Sequence, residues 1–129
     1  MKLAAGQELP ALERLIGQED IAAYATASGD FNPLHVDPDY AATTQFGGTI
    51  VHGMHQLALI NEMLTVAFGE RWPATGQLKI RFRAPARPGE MLRVSASVTR
   101  IEGDEVSVSV QLTNEPGELL ISGDARVAI

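Results

Sequence analysis

The sequence predicts an α+β fold in which an antiparallel β-sheet packs against one long helix, and two observations support this. From residue 77 onward, apolar and polar residues alternate in segments separated by turns that contain Pro or Gly, a pattern typical of half-buried strands with short connections. Residues 53–68 instead carry apolar side chains at helical spacing. Because a one-sided sheet and an apolar helix bury each other, we expect a layered α+β architecture.

The composition limits the classes of protein to consider. A length of 129 residues predicts one domain over residues 1–129. The absence of cysteine excludes disulfides, thiolate catalysis and Cys-based metal sites. A net charge of −6 argues against binding of nucleic acid. The N-terminus has no signal-peptide pattern, and no apolar run is long enough to span a membrane, so we expect no membrane association and a cytoplasmic location.

The first half of the chain predicts short elements around a central loop. Residues 8–16 are read as a short strand or an extended arm, and residues 18–27 as a helix that Gln18 or Asp20 caps. Gly29 is placed to end this helix. Asp37 followed by Pro38 predicts the start of a second helix, which reaches about residue 44.

The longest helix is predicted from Gly53 to Phe68, a length of about 24 Å. Because its sides are both rather apolar up to Asn61, we expect this helix to be largely buried. Its apolar stripe comprises Leu57, Ile60, Leu64, Ala67 and Phe68, flanked by Met54 and Met63.

Four strands are predicted to follow, over residues 77–84, 91–101, 106–112 and 119–129. In the first strand Leu78, Ile80 and Phe82 share one face. The glycine-containing turns between the later strands are short, so neighbouring strands should be antiparallel.

Asp30 and His35 are the first candidates for chemistry. The intervening residues include Asn32-Pro33, and Gly29 precedes them, so the segment should turn back and aim both side chains at one small object such as a water molecule. A histidine near neutral pH and a nearby carboxylate suit proton transfer. The alternative is a surface turn that uses these residues for backbone reasons alone. Asn32 is placed to hold either the loop or a substrate carbonyl.

Gly53 is the second candidate, because a long helix that begins with glycine offers unpaired backbone N–H groups and the positive end of the helix dipole. Such a helix start suits an anion or a developing oxyanion. The alternative is that Gly53 only lets the chain turn into the helix.

The three histidines, His35, His52 and His55, raise the question of a metal site. We expect no metal, because the spacing of His52 and His55 is not the i, i+4 pairing of helical zinc motifs. His52 is expected to form a local hydrogen bond, and His55 to pack or to line a pocket. No phosphate-binding loop or dinucleotide fingerprint is present, so nucleotide-dependent redox or kinase chemistry is disfavoured.

A basic cluster lies in and after the first strand of the sheet. It consists of Lys79, Arg81, Arg83 and Arg87. Such a group is able to meet phosphates, and the alternative is a solvated strand face that balances acidic residues elsewhere.

Three segments together carry a resemblance to a known family. They are YATASGDFNPLH (residues 24–35), Ala41-Ala42 and IVHGM (residues 50–54). In these segments the chain closely resembles the MaoC-like (R)-specific enoyl-CoA hydratases, and the order and length of its elements fit that family over nearly the whole chain. The resemblance implies a hot-dog fold, in which an antiparallel sheet wraps a long helix, and a homodimer with active sites at the subunit interface.

The resemblance also implies a reaction and roles for residues. Asp30 and His35 would activate one water molecule, which adds to a trans-2-enoyl thioester of CoA or of an acyl carrier protein. The amide of Gly53 would bind the thioester carbonyl, and the product would be a (3R)-hydroxyacyl thioester. Such an enzyme needs no cofactor beyond the carrier of its substrate. Three further residues are expected to bind substrate. Asn32 lies in the loop between Asp30 and His35, and Arg81 and Arg83 belong to the basic cluster.

The chain departs from the family in its long helix. Family members tend to have aliphatic residues after His-Gly-Met and a small hydroxyl residue two turns later. Here His55 and Gln56 follow, and Asn61 stands near the hydroxyl position. We therefore add His55 and Asn61 to the substrate-binding residues, and a short or polar acyl group becomes plausible. The alternatives are a hot-dog thioesterase and a non-catalytic acyl-binding subunit, which the presence of both Asp30 and His35 disfavours.

Overall fold

The computed structural model describes residues 2–129 and contains a five-stranded antiparallel sheet with five helices on the described part of the chain. In chain order the elements are β1 (Leu12–Ile16), α1 (Gln18–Ser28), α2 (Pro33–Val36), α3 (Pro38–Ala42), α4 (Gly53–Phe68), α5 (Arg71–Thr75), β2 (Gln77–Phe82), β3 (Glu90–Glu102), β4 (Glu105–Thr113) and β5 (Leu119–Ala128). The strand order is β1-β3-β4-β5-β2. The predicted α+β class is confirmed.

One apolar core joins the sheet to α4. The inward faces of β3 and β4 are buried as their alternation predicts, through Leu92, Val94, Ala96, Val98, Val106, Val108, Val110 and Leu112. They form one cluster with Ile60, Met63 and Leu64 of α4, which are almost completely buried. Burial of apolar area at about 25 cal/mol per Å² makes this layer contact the main stabilising term of the fold.

The helix α4 has the predicted bounds, but the expectation that it is largely buried was wrong for one flank. Met54 and Val66 are 66% and 69% exposed, because the sheet covers only one side of the helix. Phe82 was expected to share one face of β2 with Leu78 and Ile80, which are half-buried. It is instead 58% exposed and lies beside Gly53.

The ends of the first helices correct two further expectations. The N-cap of α1 is Gly17, whose N–H donates to the Asp20 carboxylate at 2.8 Å, so neither Gln18 nor Asp20 occupies the cap position. Gly29 ends α1 in the left-handed region, as predicted, with φ of 77°. Asp37 caps α3 as predicted, although α3 ends at Ala42 and not near residue 44.

Two short helices were not predicted. Asn32 caps α2, and its side-chain oxygen accepts from the Leu34 N–H at 3.0 Å. Pro33 at the first helical position suits this start. The helix α5 contains the Arg71-Trp72-Pro73 stretch. This stretch does not continue α4, which ends at Phe68, but forms a short helix of its own. None of the helices in residues 2–129 is long and apolar enough to cross a lipid bilayer.

Candidate active site

The loop between α1 and α2 brings Asp30 and His35 together with a third residue, His52. One carboxylate oxygen of Asp30 and one ring nitrogen of each histidine lie within 4.8 Å of one another. Asp30 is exposed, His35 is half-buried and His52 is buried. A water molecule that bonds two groups at tetrahedral angles holds them about 4.6 Å apart, so this spacing suits one shared water.

Two main-chain contacts fix the orientation of His35. Its Nδ1 lies 2.8 Å from the carbonyl oxygen of Ile50, which can only accept, so Nδ1 carries the hydrogen. In the neutral ring, the Nε2 atom therefore presents a lone pair. The main-chain oxygen of His35 accepts from the Gln18 side-chain amide at 2.8 Å, which ties α2 to α1.

Asp30 is held by bonds within its own loop. Its Oδ1 accepts from the Asn32 N–H at 3.2 Å, and its own N–H donates to the Ser28 hydroxyl at 3.2 Å. Of the two roles considered for Asn32, the structure displays the first, since its side-chain oxygen caps α2 and holds the loop. Contact of Asn32 with a substrate stays a prediction.

His52 does not form the local hydrogen bond that was expected. Its Nε2 donates to the main-chain oxygen of Asp30, 22 residues earlier, at 2.9 Å. Its ring stacks on His35 with centroids 3.9 Å apart and an angle of 24° between the rings. Because imidazole lone pairs lie in the ring plane, two stacked rings do not direct their nitrogens at a common ion. The geometry therefore favours a stack over a metal site, although Asp30, His35 and His52 are close.

His55 packs against α1 and is not among the residues that line the cleft described below. Its ring stacks on Tyr24, with centroids 4.6 Å apart and an interplanar angle of 5°. Burial lowers the pKa of the His55 imidazole below its usual range. The neighbouring His52 and Arg14 also lower this pKa, whereas Asp20 opposes them. Of the two roles expected for His55, packing is the one its contacts display.

The start of α4 lies at the same place, because Gly53 directly follows His52. No side chain of the described residues caps this helix, so its first N–H groups are available to a ligand. A Cβ atom built on Gly53 would lie 2.9 Å from the Phe82 Cζ. Gly53 therefore leaves room for the Phe82 ring, which lies over the helix start.

A cleft of about 350 Å³ runs beside the helix start. It is lined by His35, Phe46, Ile50, Val51, Gly53, Gln56, Phe82, Arg83, Ala84 and Pro85. Most of these side chains are apolar. The cleft therefore brings His35 and the first turn of α4 to one apolar space, which suits an acyl group.

Gln56 is a polar wall of this cleft that is only 3% exposed. Its amide nitrogen donates to the carbonyl oxygen of Val51 at 3.2 Å, which fixes the orientation of the amide. The Oε1 atom has no hydrogen-bond partner within residues 2–129. The sequence indicates that Gln56 is unusual, but its burial and its unpaired oxygen depend on the fold.

The remaining candidates for substrate binding are Asn61, Arg81 and Arg83. Asn61 is eight residues after Gly53, about 12 Å along α4, and its side-chain oxygen accepts from the Trp72 indole N–H at 2.9 Å. Arg83 lines the cleft and donates through Nε to Ser122 at 2.9 Å. Arg81 lines a second groove, of about 330 Å³, which Arg83 also lines. Binding of substrate by Asn61, Arg81 and Arg83 stays a prediction.

Comparison with known proteins gives a consistent result. The family model described as MaoC like domain matches residues 2–117. An (R)-specific enoyl-CoA hydratase of Aeromonas caviae is 32% identical over 124 residues, which cover 92% of this chain and 90% of the relative. A 3-hydroxyacyl-thioester dehydratase Z of Mycobacterium tuberculosis is 36% identical over 120 residues, which cover 88% and 76% of the two chains.

The fold is also similar to that of solved structures. The (R)-hydratase from A. caviae superposes with a TM-score of 0.84 at 30% identity, and the match covers 98% of this chain and 97% of the other. The sheet and the long helix of the present chain therefore form a hot-dog fold, as predicted.

Proposed function

The chain belongs to the MaoC-like domain family, and from this premise we propose that it is an enzyme that adds water to a trans-2-enoyl thioester. The product is a (3R)-hydroxyacyl thioester, and the same site catalyses the reverse dehydration. The observation that carries the proposal is that His35 and the uncapped start of α4 line one apolar cleft, with the Asp30 carboxylate close to His35. Hydration of an enoyl thioester needs both halves of this site, one for the water and one for the carbonyl.

Asp30 and His35 act on the water. In the neutral His35 ring, Nδ1 holds the hydrogen that it donates to Ile50 and Nε2 has the lone pair, so Nε2 is able to accept a proton from the water as its oxygen bonds to C3 of the substrate. The exposed Asp30 carboxylate orients the same water and takes part in the proton transfer that leads to C2. The C3–O and C2–H bonds form as the π bond between C2 and C3 and one O–H bond of the water break, so the reaction consumes only water.

The start of α4 acts on the thioester carbonyl. Negative charge develops on the carbonyl oxygen when water adds to C3, because the electrons of the double bond move toward the thioester. The Gly53 N–H, supported by the dipole of a 16-residue helix, donates to this oxygen. Donors of this kind are typically worth about 10²–10³-fold in kcat.

The substrate is proposed to carry a short or polar acyl group. The cleft volume of about 350 Å³ is modest, and the buried Gln56 oxygen without a partner is unfavourable beside a long aliphatic chain. The carrier is CoA or an acyl carrier protein. Arg83 at the rim of the cleft is the nearer of the two arginines to the site, and with Arg81 it is proposed to meet phosphates of the carrier.

A homodimer is proposed, supported by exposed apolar side chains around the site. Phe31 is 60% exposed next to Asp30, Met54 is 66% exposed next to Gly53, and Phe82 is 58% exposed. Since β2 is also an edge strand of the sheet, a second copy of the chain has both apolar contacts and free backbone groups to bind. Light scattering after size exclusion should give twice the mass of the chain; the mass of a single chain would contradict this.

Crotonyl-CoA tests the proposed reaction. The enoyl absorbance should disappear without release of free thiol, and the product should be oxidised by an (R)-specific 3-hydroxyacyl-CoA dehydrogenase but not by an (S)-specific one. Release of free CoA would identify a thioesterase instead. No change with enoyl-CoA substrates of several lengths would contradict an enzymatic role and favour an acyl-binding subunit.

A further inference from the structure

We propose that His52 is a positioning residue that holds the two halves of the site in register, an inference that rests on the proposed function. Three links support it. The Nε2 atom of His52 donates to the Asp30 main chain at 2.9 Å, its ring stacks on His35 at 3.9 Å, and its peptide bond leads directly to Gly53.

The bond to Asp30 anchors a loop whose other bonds are local. Asp30 otherwise bonds with Ser28 and Asn32, which belong to the same loop or to the end of the preceding helix. His52 reaches this loop from the start of α4. His52 therefore adds a bond from Asp30 itself to the residue before the helix start, alongside the bond that joins His35 to Ile50.

The stack of the His52 ring on the His35 ring also restricts the position of His35. The ring of His52 lies between His35 and Tyr24, whose centroid is 4.8 Å from that of His52 at an angle of 54°. Because His52 is only 1% exposed, it is packed too closely to move independently of these neighbours. The His35 ring therefore cannot move toward His52 without displacing it, and His52 is in turn held against Tyr24.

The hydrogen-bonding state of His52 fits this role. The acceptor at Asp30 is a carbonyl, so the ring hydrogen is on Nε2. The Nδ1 atom is buried, and no donor among residues 2–129 reaches it. His52 does not line the cleft and has no exposed atom to offer to a substrate, so it acts through Asp30 and His35.

Three substitutions separate the hydrogen bond from the ring. Glutamine carries a nitrogen as many bonds from Cα as Nε2 of histidine, whereas the asparagine nitrogen corresponds to Nδ1. His52→Gln therefore keeps the donor without the ring, and His52→Phe keeps a ring without the donor. His52→Asn has neither in the correct place.

The expected kinetics follow from the geometry. With crotonyl-CoA, kcat should fall about 10²-fold in His52→Phe and His52→Asn, because small misplacements of catalytic groups cost this much. His52→Gln should recover at least about tenfold of that loss, and KM should change less than about threefold in all three variants. A residue that only supports the fold would lower Tm in each variant and leave the kcat of the folded protein unchanged.

A second readout does not depend on turnover. The Asn32 N–H donates to the Asp30 side chain at 3.2 Å, so its hydrogen exchange reports the order of the loop. Exchange at Asn32 should be at least about threefold faster in His52→Phe and His52→Asn than in the wild type or His52→Gln. If the wild type hydrates no enoyl-CoA, the proposed function fails but this measurement still tests the role of His52. Wild-type kcat and wild-type Asn32 exchange in His52→Phe, or no recovery in His52→Gln, would overturn the inference.

Discussion

The substitution Gly53→Ala tests how the start of α4 is used. The added Cβ would lie 2.9 Å from Cζ and 3.3 Å from Cε1 of the Phe82 ring. Overpacking typically costs about 1–3 kcal/mol, but the ring is 58% exposed and is able to swing away. Alanine also favours a helix over glycine by up to about 1 kcal/mol. We therefore expect the free energy of unfolding to change by less than about 1 kcal/mol.

Activity should respond much more strongly than stability to Gly53→Ala. The methyl group and the displaced Phe82 ring both enter the cleft beside the amide that is proposed to bind the thioester carbonyl. Alanine keeps the backbone N–H, so we expect kcat/KM for crotonyl-CoA to fall about 10²-fold because the carbonyl is displaced from this donor, the scale of a misplacement of about 1 Å. Denaturant unfolding and the enoyl absorbance assay measure the two quantities on the same preparation.

A double-mutant cycle shows whether Phe82 transmits the effect. Phe82→Ala removes the atoms that the new Cβ would contact, so the double variant Gly53→Ala/Phe82→Ala should lose less activity than the two single effects combined. Strictly additive effects would refute the contact as the cause. A Gly53→Ala variant with wild-type kcat/KM would refute the use of this helix start.

Three further predictions concern the periphery of the site. Arg83→Ala should raise KM for crotonyl-CoA by about threefold to tenfold, the loss expected for one phosphate contact. It should leave KM for crotonyl-pantetheine unchanged, because that substrate has no phosphate. Arg100→Ala is the control variant, and equal effects of Arg83→Ala on both substrates would contradict a phosphate contact. The lowered pKa of His55 means that the unfolded chain binds this proton more readily, so stability should fall as pH drops below about 6.5. His55→Phe, which keeps a ring against α1, should weaken this dependence in thermal unfolding between about pH 5 and 7, and an unchanged slope would contradict it. Asn61→Leu leaves the buried Trp72 indole N–H without its acceptor and should lower the free energy of unfolding by about 1–3 kcal/mol; unaltered stability in denaturant would contradict this role.

The spacing of apolar residues along the sequence was sufficient to predict the long helix and the long strands. The bounds of α4 agree at both ends, because Gly53 and Gly69 mark breaks in a strong helical pattern. The strands β3 and β4 were found from their alternation, within about two residues at each end. These elements bury a continuous face, and burial is the property that sequence periodicity reports.

The short helices and the exposed flank of α4 were harder to predict from the sequence. Asn32-Pro33 is equally suited to a turn and to the start of a helix, so α2 was read as part of a loop. The open flank of α4 at Met54 and Val66 could not be anticipated, because an apolar side chain in the sequence does not reveal whether the sheet or another molecule covers it.

The site was predicted in part. Asp30, His35 and Gly53 were identified from local chemistry and from the resemblance, and the structure brings them to one region. The contacts of His52 were missed, because its hydrogen bond joins segments 22 residues apart. No local pattern encodes such a bond, and only the fold reveals that His52 contacts both Asp30 and His35.

The most direct test of the account is the turnover of crotonyl-CoA by Asp30→Asn and His35→Ala. Asparagine keeps an oxygen that is able to accept from the Asn32 N–H, so the loop bond at 3.2 Å is retained while the carboxylate is lost. Each variant should lower kcat by at least about 10²-fold, the scale of one acid–base group, whereas the control Asp39→Asn, at an exposed carboxylate of α3, should leave it unchanged. A kcat within about threefold of wild type in either variant would contradict the proposal that this pair activates the water.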